Sequence, residues 1–373
     1  MKITHVETIP VEIPLRREFL MRSAHGDTPP VSTPVLVRLH TDAGVVGVGE
    51  CTGSAQWSGE PQNVALTVIE EHLAPAVIGA DPAHTSRITA LMAAAIKGHA
   101  FAKSAVDMAC WDAAGKAAGR SVVDMLGGPC RERAPIKWSV SARPPDEAAA
   151  IARRAVEMGF TMMKVKTGLD PVTDVERVRA VVEAVGPDVR VGVDCNGGWT
   201  ARQALWAAGR LDDCELWFIE QPTHPRDLAG MAEVRRGVAP PVMADESVWT
   251  AEDAIAVIRQ EAADIISVYP GKNGGIGPCR DIVAVARAAG LTCVLGSNLE
   301  LGVASAAMLA VACALPGLSD EIGHHIIGPL YHERDVIAAP LTLTDGHATG
   351  GDGPGLGVEL MTDLTGAAPP SES

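Results

Sequence analysis

The feature that most constrains this chain is a repeat, beginning after Gly128, of short β-rich runs that alternate with amphipathic helical stretches. The runs cover residues 136–142, 162–168, 189–196, 216–222, 241–247, 263–270, 291–298 and, more weakly, 318–325. Strands that alternate with helices and are apolar on both faces form a parallel sheet. Eight such units in roughly 200 residues favour a closed barrel over an open sheet. We therefore predict an α/β fold built on a modified (β/α) barrel of the TIM type.

The residues before this repeat follow a different pattern, with strands first and helices afterwards. Segment 35–50 contains two alternating runs joined at 42–44, which predicts a β-hairpin. Apolar residues then recur at helical spacing around 62–77, 84–96 and 101–118. We predict an N-terminal α+β capping domain over residues 1–130, the barrel over 131–334, and a C-terminal return segment and tail over 335–373, of which residues 365–373 should be mobile.

The charge of the chain limits its partners. Its 31 Lys and Arg residues against 46 Asp and Glu residues give a net charge of −15, which argues against binding to nucleic acid or to an anionic membrane. The longest largely apolar stretch, residues 303–315, is too short to cross a bilayer. The eight cysteines form no C-x-x-C pair, which in a chain of 373 residues indicates buried thiols in a reducing compartment. We expect a soluble cytoplasmic protein in which any anionic ligand needs a local positive centre.

Polar residues stand where the apolar runs end, at intervals close to one βα unit. Lys166, Asp194, Glu220, Asp245 and Tyr269 follow one another at 28, 26, 25 and 24 residues. In a barrel the carboxyl ends of the strands meet at one face, where catalysis takes place. A single acidic residue at a strand end usually caps the next helix. Three acidic residues in successive units would repel one another when buried, unless a cation neutralised them.

The residue types predict which cation this is and what lies beside it. Asp194, Glu220 and Asp245 offer only carboxylate oxygens, which suits Mg²⁺, with Mn²⁺ as a substitute. Lys164 and Lys166 are two residues apart, so on a strand they face the same side, toward the barrel mouth. Mutual repulsion and partial desolvation should lower the pKa of these amines toward the range useful to a general base.

Together these motifs resemble the enolase superfamily, in particular its mandelate racemase/muconate lactonizing enzyme group. The resemblance covers nearly the whole chain, and the segments that carry it are KVK (164–166), VDCNGGW (193–199), IEQP (219–222), ADES (244–247) and KNGG (272–275). It implies that the three carboxylates bind the metal from the third, fourth and fifth barrel strands. It also implies that a small carboxylate substrate binds Mg²⁺ and Lys164 while Lys166 moves its α-proton through a metal-stabilised enolate. Members of the family are commonly homo-oligomers.

One position departs from the family pattern. Most members of this subgroup carry a further lysine at the end of the sixth strand, where this chain has Tyr269. A phenol is a proton donor at neutral pH, so Tyr269 favours chemistry on one face of the substrate. This chemistry is either syn-elimination of water or a cycloisomerisation like that of muconate.

Three alternatives stay open. Tyr269 is either catalytic or simply part of the packing. A racemase or epimerase of an amino acid, N-acyl amino acid or dipeptide is the alternative reaction, which Tyr269 weakens. A non-catalytic scaffold is the alternative to an enzyme. It would predict a broken set of carboxylates and lysines, whereas all five residues are present.

The resemblance implies that two loops of the cap, near residues 18–27 and 51–60, cover the barrel mouth and set specificity. Arg22 and His25 would meet a distal anionic or hydroxyl group, and Trp57 would form an apolar wall with Phe19 and Met21. The predicted substrate-binding residues are Arg22, His25, Trp57, Asn196, Lys272, Asn298, Glu300, His324 and His325.

Overall fold

The hairpin predicted over 35–50 lies at the centre of the N-terminal region of the computed structural model, which describes residues 1–364. The strands of this region are β1 (Ile3–Pro10), β2 (Ile13–Pro14), β3 (Arg22–Ser23), β4 (Gly26–Asp27), β5 (Val31–Ser32), β6 (Val35–Thr41) and β7 (Val46–Cys51). Strand β6 pairs antiparallel with both β1 and β7. The short pairs β2–β5 and β3–β4 form two separate antiparallel ribbons.

Helices then cover one side of the hairpin, as the apolar spacing predicts. They are α1 (Gln62–Thr67), a π-helical turn (Val68–Leu73), α2 (Ala74–Val77), α3 (Thr85–Ala95), α4 (Ala100–Ala118) and α5 (Val122–Met125). Helix α4 packs so closely on β7 that a Cβ at Gly47 or Gly49 would lie 2.0 or 1.9 Å from a carbonyl oxygen of the helix. Only glycine permits this approach of helix and sheet.

The first seven of the predicted apolar runs in the second half form one parallel sheet. After β8 (Ala134–Pro135), its strands are β9 (Trp138–Val140), β10 (Met162–Lys166), β11 (Arg190–Asp194), β12 (Ile219–Glu220), β13 (Val242–Ala244), β14 (Ile265–Val268) and β15 (Thr292–Leu295). Neighbours in the sheet follow chain order from β9 to β15. This is the order that successive βα units produce in a barrel.

Helices connect these strands and surround them. They are α6 (Pro145–Glu157), α7 (Pro171–Val185), α8 (Ala201–Arg210), α9 (Leu228–Gly237), α10 (Ala251–Arg259), α11 (Pro270–Asn273), α12 (Ile276–Ala288), α13 (Gly302–Ala314) and α14 (Gly328–Tyr331). Helices α8 and α10 begin at capping boxes, in which Thr200 pairs with Gln203 and Thr250 with Asp253. These local signals start α8 and α10 after loops of six residues, 195–200 and 245–250, and leave the strand tips free for other contacts.

The eighth run, 318–325, pairs through two isolated bridges rather than as a continuous strand. Leu318 bridges to Cys293 on β15, and His324 bridges to Ile136 beside β9. Between these two bridges the run carries the polar residues Ser319, Asp320 and Glu321, which a buried strand does not favour. The two bridges still join the edges of the sheet and complete the modified barrel.

The interior of the barrel has an apolar floor. A separate buried cluster is formed by side chains of β10, β13, β14 and β15, of the residue before β12 and of the eighth run: Met162, Phe218, Met243, Ile265, Val294 and Ile322. Met162 and Phe218 each lie two residues before a polar residue of the predicted site, so they share its face of the strand. The floor therefore lies beneath the strand tips and excludes water from that end.

The chain after residue 334 returns to the start of the barrel. Strands β16 (Thr342–Thr344) and β17 (His347–Thr349) form an antiparallel sheet with β8. The tail predicted to be mobile, residues 365–373, lies outside the described residues. None of the helices within residues 1–364 combines the length and the apolar character needed to cross a lipid bilayer.

Candidate active site

The residues selected by their spacing lie side by side at the strand tips. In the parallel register Lys166 is opposite Asp194, and Asp194 is opposite Glu220. Asp245 follows directly after β13, where its backbone N–H donates to Gln221 Oε1 at 2.9 Å. The sheet register thus brings the predicted lysines and carboxylates to one end of the barrel.

The lysines are ion-paired with the carboxylates. Lys164 Nζ lies 2.9 Å from Asp194 Oδ2 and 3.1 Å from Glu220 Oε1. Lys166 Nζ lies 2.7 Å from the same Asp194 oxygen. Lys164 and Asp194 are almost completely buried, whereas the side chain of Lys166 keeps 13% of its surface exposed. Lys166 is therefore the amine with better access to a bound ligand.

The electrostatics of Lys164 differ from the expectation. Burial lowers the pKa of an amine, but the carboxylates of Asp194, Glu220 and Asp245 outweigh that effect and raise the pKa of Lys164 above its ordinary value. The predicted lowering for this residue is therefore wrong, because the amine is held charged by carboxylates. For Glu220, burial has the larger effect. It raises the pKa of this carboxyl to about 7, although the charge of Lys164 lowers it.

The carboxylates of Asp194, Glu220 and Asp245 have the chemistry of a metal site, although their side chains would have to move to bind one ion together. As they stand, no three His, Cys, Asp or Glu groups within residues 1–364 are placed to hold a metal ion together. The lysine contacts explain this, because Lys164 bridges Asp194 and Glu220 while Lys272 Nζ donates to Asp245 Oδ1 at 2.6 Å. The buried Oε2 of Glu220 has no hydrogen-bond partner, which is costly unless a cation or donor binds there. Three carboxylates with a free buried oxygen suit Mg²⁺.

A cavity of about 320 Å³ opens above these groups. Its inner end is formed by Lys164, Lys166, Asp194, Asn196 and Asp245, and its walls come from cap segments 21–33 and 52–57. The cap loops near residues 20 and 50 thus cover the barrel mouth, as the resemblance implies.

Five of the predicted substrate-binding residues line this cavity. They are His25, Trp57, Asn196, Asn298 and His325. The imidazole of His325 is buried, with Nε2 2.8 Å from Ser139 Oγ and with Nδ1 lacking a partner. Burial lowers the pKa of His325 well below its ordinary value, with further lowering from the nearby lysines, so the ring is neutral. A contribution of these five residues to substrate binding stays a prediction.

The structure places other predicted residues away from the cavity. Arg22 is more than half exposed, and its Nε lies 3.6 Å from Asp27 Oδ1. Lys272 is fully buried, with Nζ donating to the carbonyl oxygens of Asp245 and Ser267 at 2.8 Å each. His324 is also fully buried, and its Nδ1 accepts the backbone N–H of Leu295 at 3.1 Å. These side chains hold the wall of the barrel and the rim together.

Tyr269 and Glu300 lie in the barrel wall, just after strands β14 and β15. The Tyr269 ring is 1% exposed and packs on Trp57, with ring centroids 5.9 Å apart, and on Phe101, at 6.3 Å. Burial raises the pKa of Tyr269 well above its ordinary value, so the phenol keeps its proton. Glu300 is buried and accepts from Ser297 Oγ at 2.5 Å and from the Asn298 N–H at 2.9 Å. Neither side chain presents a free anion to the cavity.

Sequence reasoning missed one residue that joins the site to the cap. Glu246 Oε1 lies 2.9 Å from His25 Nε2 and accepts from Asn196 Nδ2 at 2.8 Å. Asn196 Oδ1 in turn accepts from Lys166 Nζ at 2.9 Å. On a continuing strand, neighbouring residues such as Asp245 and Glu246 would point to opposite sides. Because β13 ends at Ala244, the turn carries both side chains to the same mouth.

Comparisons with known proteins cover almost the whole chain. Two family models match: Enolase C-terminal domain-like over residues 147–364, and Mandelate racemase / muconate lactonizing enzyme, N-terminal domain, over residues 15–127. Muconate cycloisomerase 1 of Rhodococcus opacus is 34% identical over 97% of both chains. The N-succinyl-L-Arg/Lys racemase of Bacillus cereus is 31% identical over 97% of this chain and 96% of its own.

One of the similar solved structures contains bound ligands. The dipeptide epimerase of Enterococcus faecalis V583, complexed with Mg and the dipeptide L-Leu-L-Tyr, superposes with a TM-score of 0.91 at 28% identity. The superposition covers 96% of this chain and 100% of the other. These similar proteins share one architecture and carry different named activities.

Proposed function

This chain belongs to the mandelate racemase/muconate lactonizing enzyme family of the enolase superfamily, and from that premise we propose that it transfers a proton at the carbon α to a carboxylate of a small organic acid. The reaction is a syn-elimination of water or a cycloisomerisation of the kind named for its relatives. The observation that carries the proposal is the shared cavity, in which Lys164 and Lys166 lie beside Asp194 and Asp245. Amines next to carboxylates at converging strand tips suit acid/base chemistry beside a dication.

Each residue has a definite part in this proposal. Asp194, Glu220 and Asp245 would hold Mg²⁺ or Mn²⁺, which supplies positive charge for an enolate form of the substrate. Lys164 is charged and almost completely buried, so it offers a fixed cation to the substrate carboxylate. Lys166, positioned by Asp194 and Asn196, takes the proton from carbon or returns it.

The preference for chemistry on one face rests on Tyr269 and Lys272. A racemase needs a base on each face of the substrate, and Lys166 is on the β10 side. On the β14 side the strand ends in the buried phenol of Tyr269. The nearby amine of Lys272 already donates to three oxygens. Both observations support a single lysine base.

A racemase or epimerase of an amino acid, N-acyl amino acid or dipeptide is the second candidate. It is favoured by the relatives, because the racemase of Bacillus cereus covers this chain as fully as the cycloisomerase does. Proton exchange in D₂O with inversion at the α-carbon would identify this activity. Exchange with retention at the α-carbon, or loss of water without epimerisation of the remaining substrate, would identify the one-face reaction.

The test is to replace Lys166 and follow exchange of the α-proton. Wild-type enzyme with Mg²⁺ should incorporate deuterium from D₂O into a substrate, as observed by NMR. Lys166→Met should lower the exchange rate by at least about 10²-fold, the scale of general acid–base catalysis, while Mg²⁺ binding measured by calorimetry persists. The exposed Lys97 gives a matched control, since Lys97→Met should leave both quantities unchanged. Undiminished exchange in Lys166→Met would refute the assignment.

A further inference from the structure

From the charges that line the cavity, we infer that the substrate carries a single carboxylate and that its far end is neutral and hydrogen-bonding, with hydroxyl or amide groups. The inference rests on the proposed function, because it places that single carboxylate at the lysines. Of the one-face reactions it favours elimination over a cycloisomerisation in which a second substrate carboxylate is the nucleophile.

The positive charges of the cavity are confined to its inner end. Among the described residues that line it, Lys164 and Lys166 are the amines, and no arginine is present. His325 and His332 also line the cavity, but burial lowers the pKa of both imidazoles, which keeps the rings neutral. A carboxylate at the inner end is therefore well compensated, while one at the outer end is not.

The two cap residues that could have met a distal anion are already paired with acids. Arg22 lies outside the cavity lining, with Nε 3.6 Å from Asp27 Oδ1. His25 does line the cavity, but its Nε2 is 2.9 Å from Glu246 Oε1. A second substrate carboxylate would compete with Asp27 or Glu246 for these side chains. It would also approach Asp27, which lines the outer part of the cavity, and like charges repel there.

The outer walls offer neutral hydrogen-bonding groups instead. Those that line the cavity are Ser23, Thr28, Ser32, Thr33, Ser54 and Gln56. Hydroxyl and amide side chains both donate and accept, so they complement hydroxyl or amide groups of a ligand. The Oγ atoms of Ser23 and Ser54 accept backbone N–H groups within their own loops, which leaves each O–H proton to donate. An unpaired carboxylate among these groups would lose hydration without gaining a cation.

The cavity volume limits the size of the substrate. A volume of about 320 Å³ is near the lower end of the roughly 300–1,000 Å³ typical of ligand sites. Met21, Val31 and Trp57 supply apolar surface to the same walls. The cavity thus fits a small acid with a short neutral chain better than a long one.

Matched acids that differ only at the far end test this inference. The Mg²⁺-loaded wild-type enzyme is given N-acetyl-L-alanine against N-succinyl-L-alanine, and D-gluconate against D-glucarate. Binding is measured by calorimetry, and α-proton exchange is measured in D₂O by NMR. We expect the monocarboxylate of at least one pair to bind at least about tenfold more tightly than its dicarboxylate partner, a difference of about 1.4 kcal/mol. Equal or tighter binding of the dicarboxylates, or binding of none of the acids, would overturn the inference.

The two readouts separate this inference from the proposed function. Selective binding of monocarboxylates without exchange of any α-proton would contradict the proposed proton transfer and leave the cavity selectivity standing. Exchange that is faster with the dicarboxylates would support the proton transfer and contradict the selectivity.

Two variants outside the proposed catalytic machinery sharpen the test. Gln56→Arg places a cation in the outer wall and should improve dicarboxylate binding at least about tenfold, whereas the neutral control Gln56→Met should not. Arg22→Gln should leave the ratio between the paired acids unchanged, because Arg22 is at the rim and paired with Asp27. Loss of dicarboxylate binding in Arg22→Gln would show that Arg22 receives a second anion, and would contradict the inference.

Discussion

At the scale of single residues, a chain of short contacts connects the cap to the proposed base. His25, Glu246, Asn196 and Lys166 follow one another at 2.9, 2.8 and 2.9 Å. Asn196 has a φ of 44°, a left-handed conformation that asparagine tolerates better than most residues. That conformation turns the chain after β11 and presents the side-chain amide to both Lys166 and Glu246.

We predict that His25 is a positioning residue. His25→Ala should remove one contact of Glu246 and loosen the orientation of Lys166 through Asn196. The expected result is a fall in kcat for α-proton exchange of about tenfold with little change in Mg²⁺ affinity, since a displacement of about 1 Å at a reacting group costs up to about 10²-fold. Exchange kinetics in D₂O measure the effect.

A second variant separates positioning from a general loss of structure. Asn196→Ala should give a similar fall, and combining it with His25→Ala should add little, because both act through the same chain of contacts. Losses in kcat that multiply in the double variant would show that the two side chains act independently.

The proposed site residues differ in how far the sequence can predict their positions. Asp194, Glu220 and Asp245 are predictable because a period near 25 residues places each at the tip of its own parallel strand. The partners of Arg22 and Glu246 are not predictable in this way, since they depend on how a cap loop and a βα loop fold over the mouth. The direction of the pKa shift of Lys164 is not predictable either, because spacing does not reveal which carboxylate oxygens contact an amine.

At the scale of elements, buried acids join the cap to the barrel helices. Glu50 on β7 accepts the N–H groups of Leu301 and Ala304 at the start of α13, at 2.6 and 2.9 Å. Asp107 on α4 accepts the N–H of Ile276 at the start of α12, at 2.6 Å. Helix N-termini favour acidic side chains, yet burial raises the pKa of Glu50 to about 8 and that of Asp107 to about 7.

These shifts predict how stability depends on pH. The folded pKa of Glu50 and of Asp107 lies above the ordinary values of 4.5 and 3.8, so the folded state binds more protons than the unfolded state between those limits. The stabilising contribution of both groups is complete below about pH 4 and is lost as pH rises through 7 and 8. With each pKa unit equal to about 1.4 kcal/mol, we expect the contribution of each group to the free energy of unfolding to fall by about 3 kcal/mol between pH 5 and pH 8.

Glu50→Gln tests this dependence. Urea unfolding at pH 5 and at pH 8 should show a smaller difference in the variant than in the wild type, because the glutamine does not titrate. The variant should also be less stable at pH 5, since one of the two N–H groups loses its acceptor. The exposed Glu157 offers the control Glu157→Gln, which should keep the wild-type difference. An unchanged pH difference in Glu50→Gln would contradict the assignment.

The elements themselves were predicted unevenly. The hairpin, the cap helices and the runs from 136 to 298 follow apolar periodicity that burial imposes on strands and helices. The eighth run has no such periodicity, and it forms only the bridges of Leu318 and His324. Its place in the barrel is dictated by the two free sheet edges rather than by its own sequence.

At the scale of the whole molecule, the balance between lysines and carboxylates couples stability to metal binding. Lys164 neutralises Asp194 and Glu220 in a buried site of a chain with net charge −15. Removing one partner of a buried ion pair costs about 3–5 kcal/mol, because the remaining charge is uncompensated. A dication at the same carboxylates would supply the missing charge.

We therefore predict that Lys164→Met depends on Mg²⁺ for its stability. Without Mg²⁺ the variant should unfold at a temperature several degrees below that of the wild type, and saturating Mg²⁺ should restore most of the loss. For the wild type, a ligand at 100 times its Kd stabilises by about 2.7 kcal/mol, and the gain for the variant should be larger because Mg²⁺ no longer competes with the amine. Scanning calorimetry with EDTA and with Mg²⁺ measures both gains. Asp245→Asn should lose most of the stabilisation by Mg²⁺, whereas the control Glu157→Gln should keep it. Equal stabilisation of Asp245→Asn and the wild type would mean that Mg²⁺ binds elsewhere.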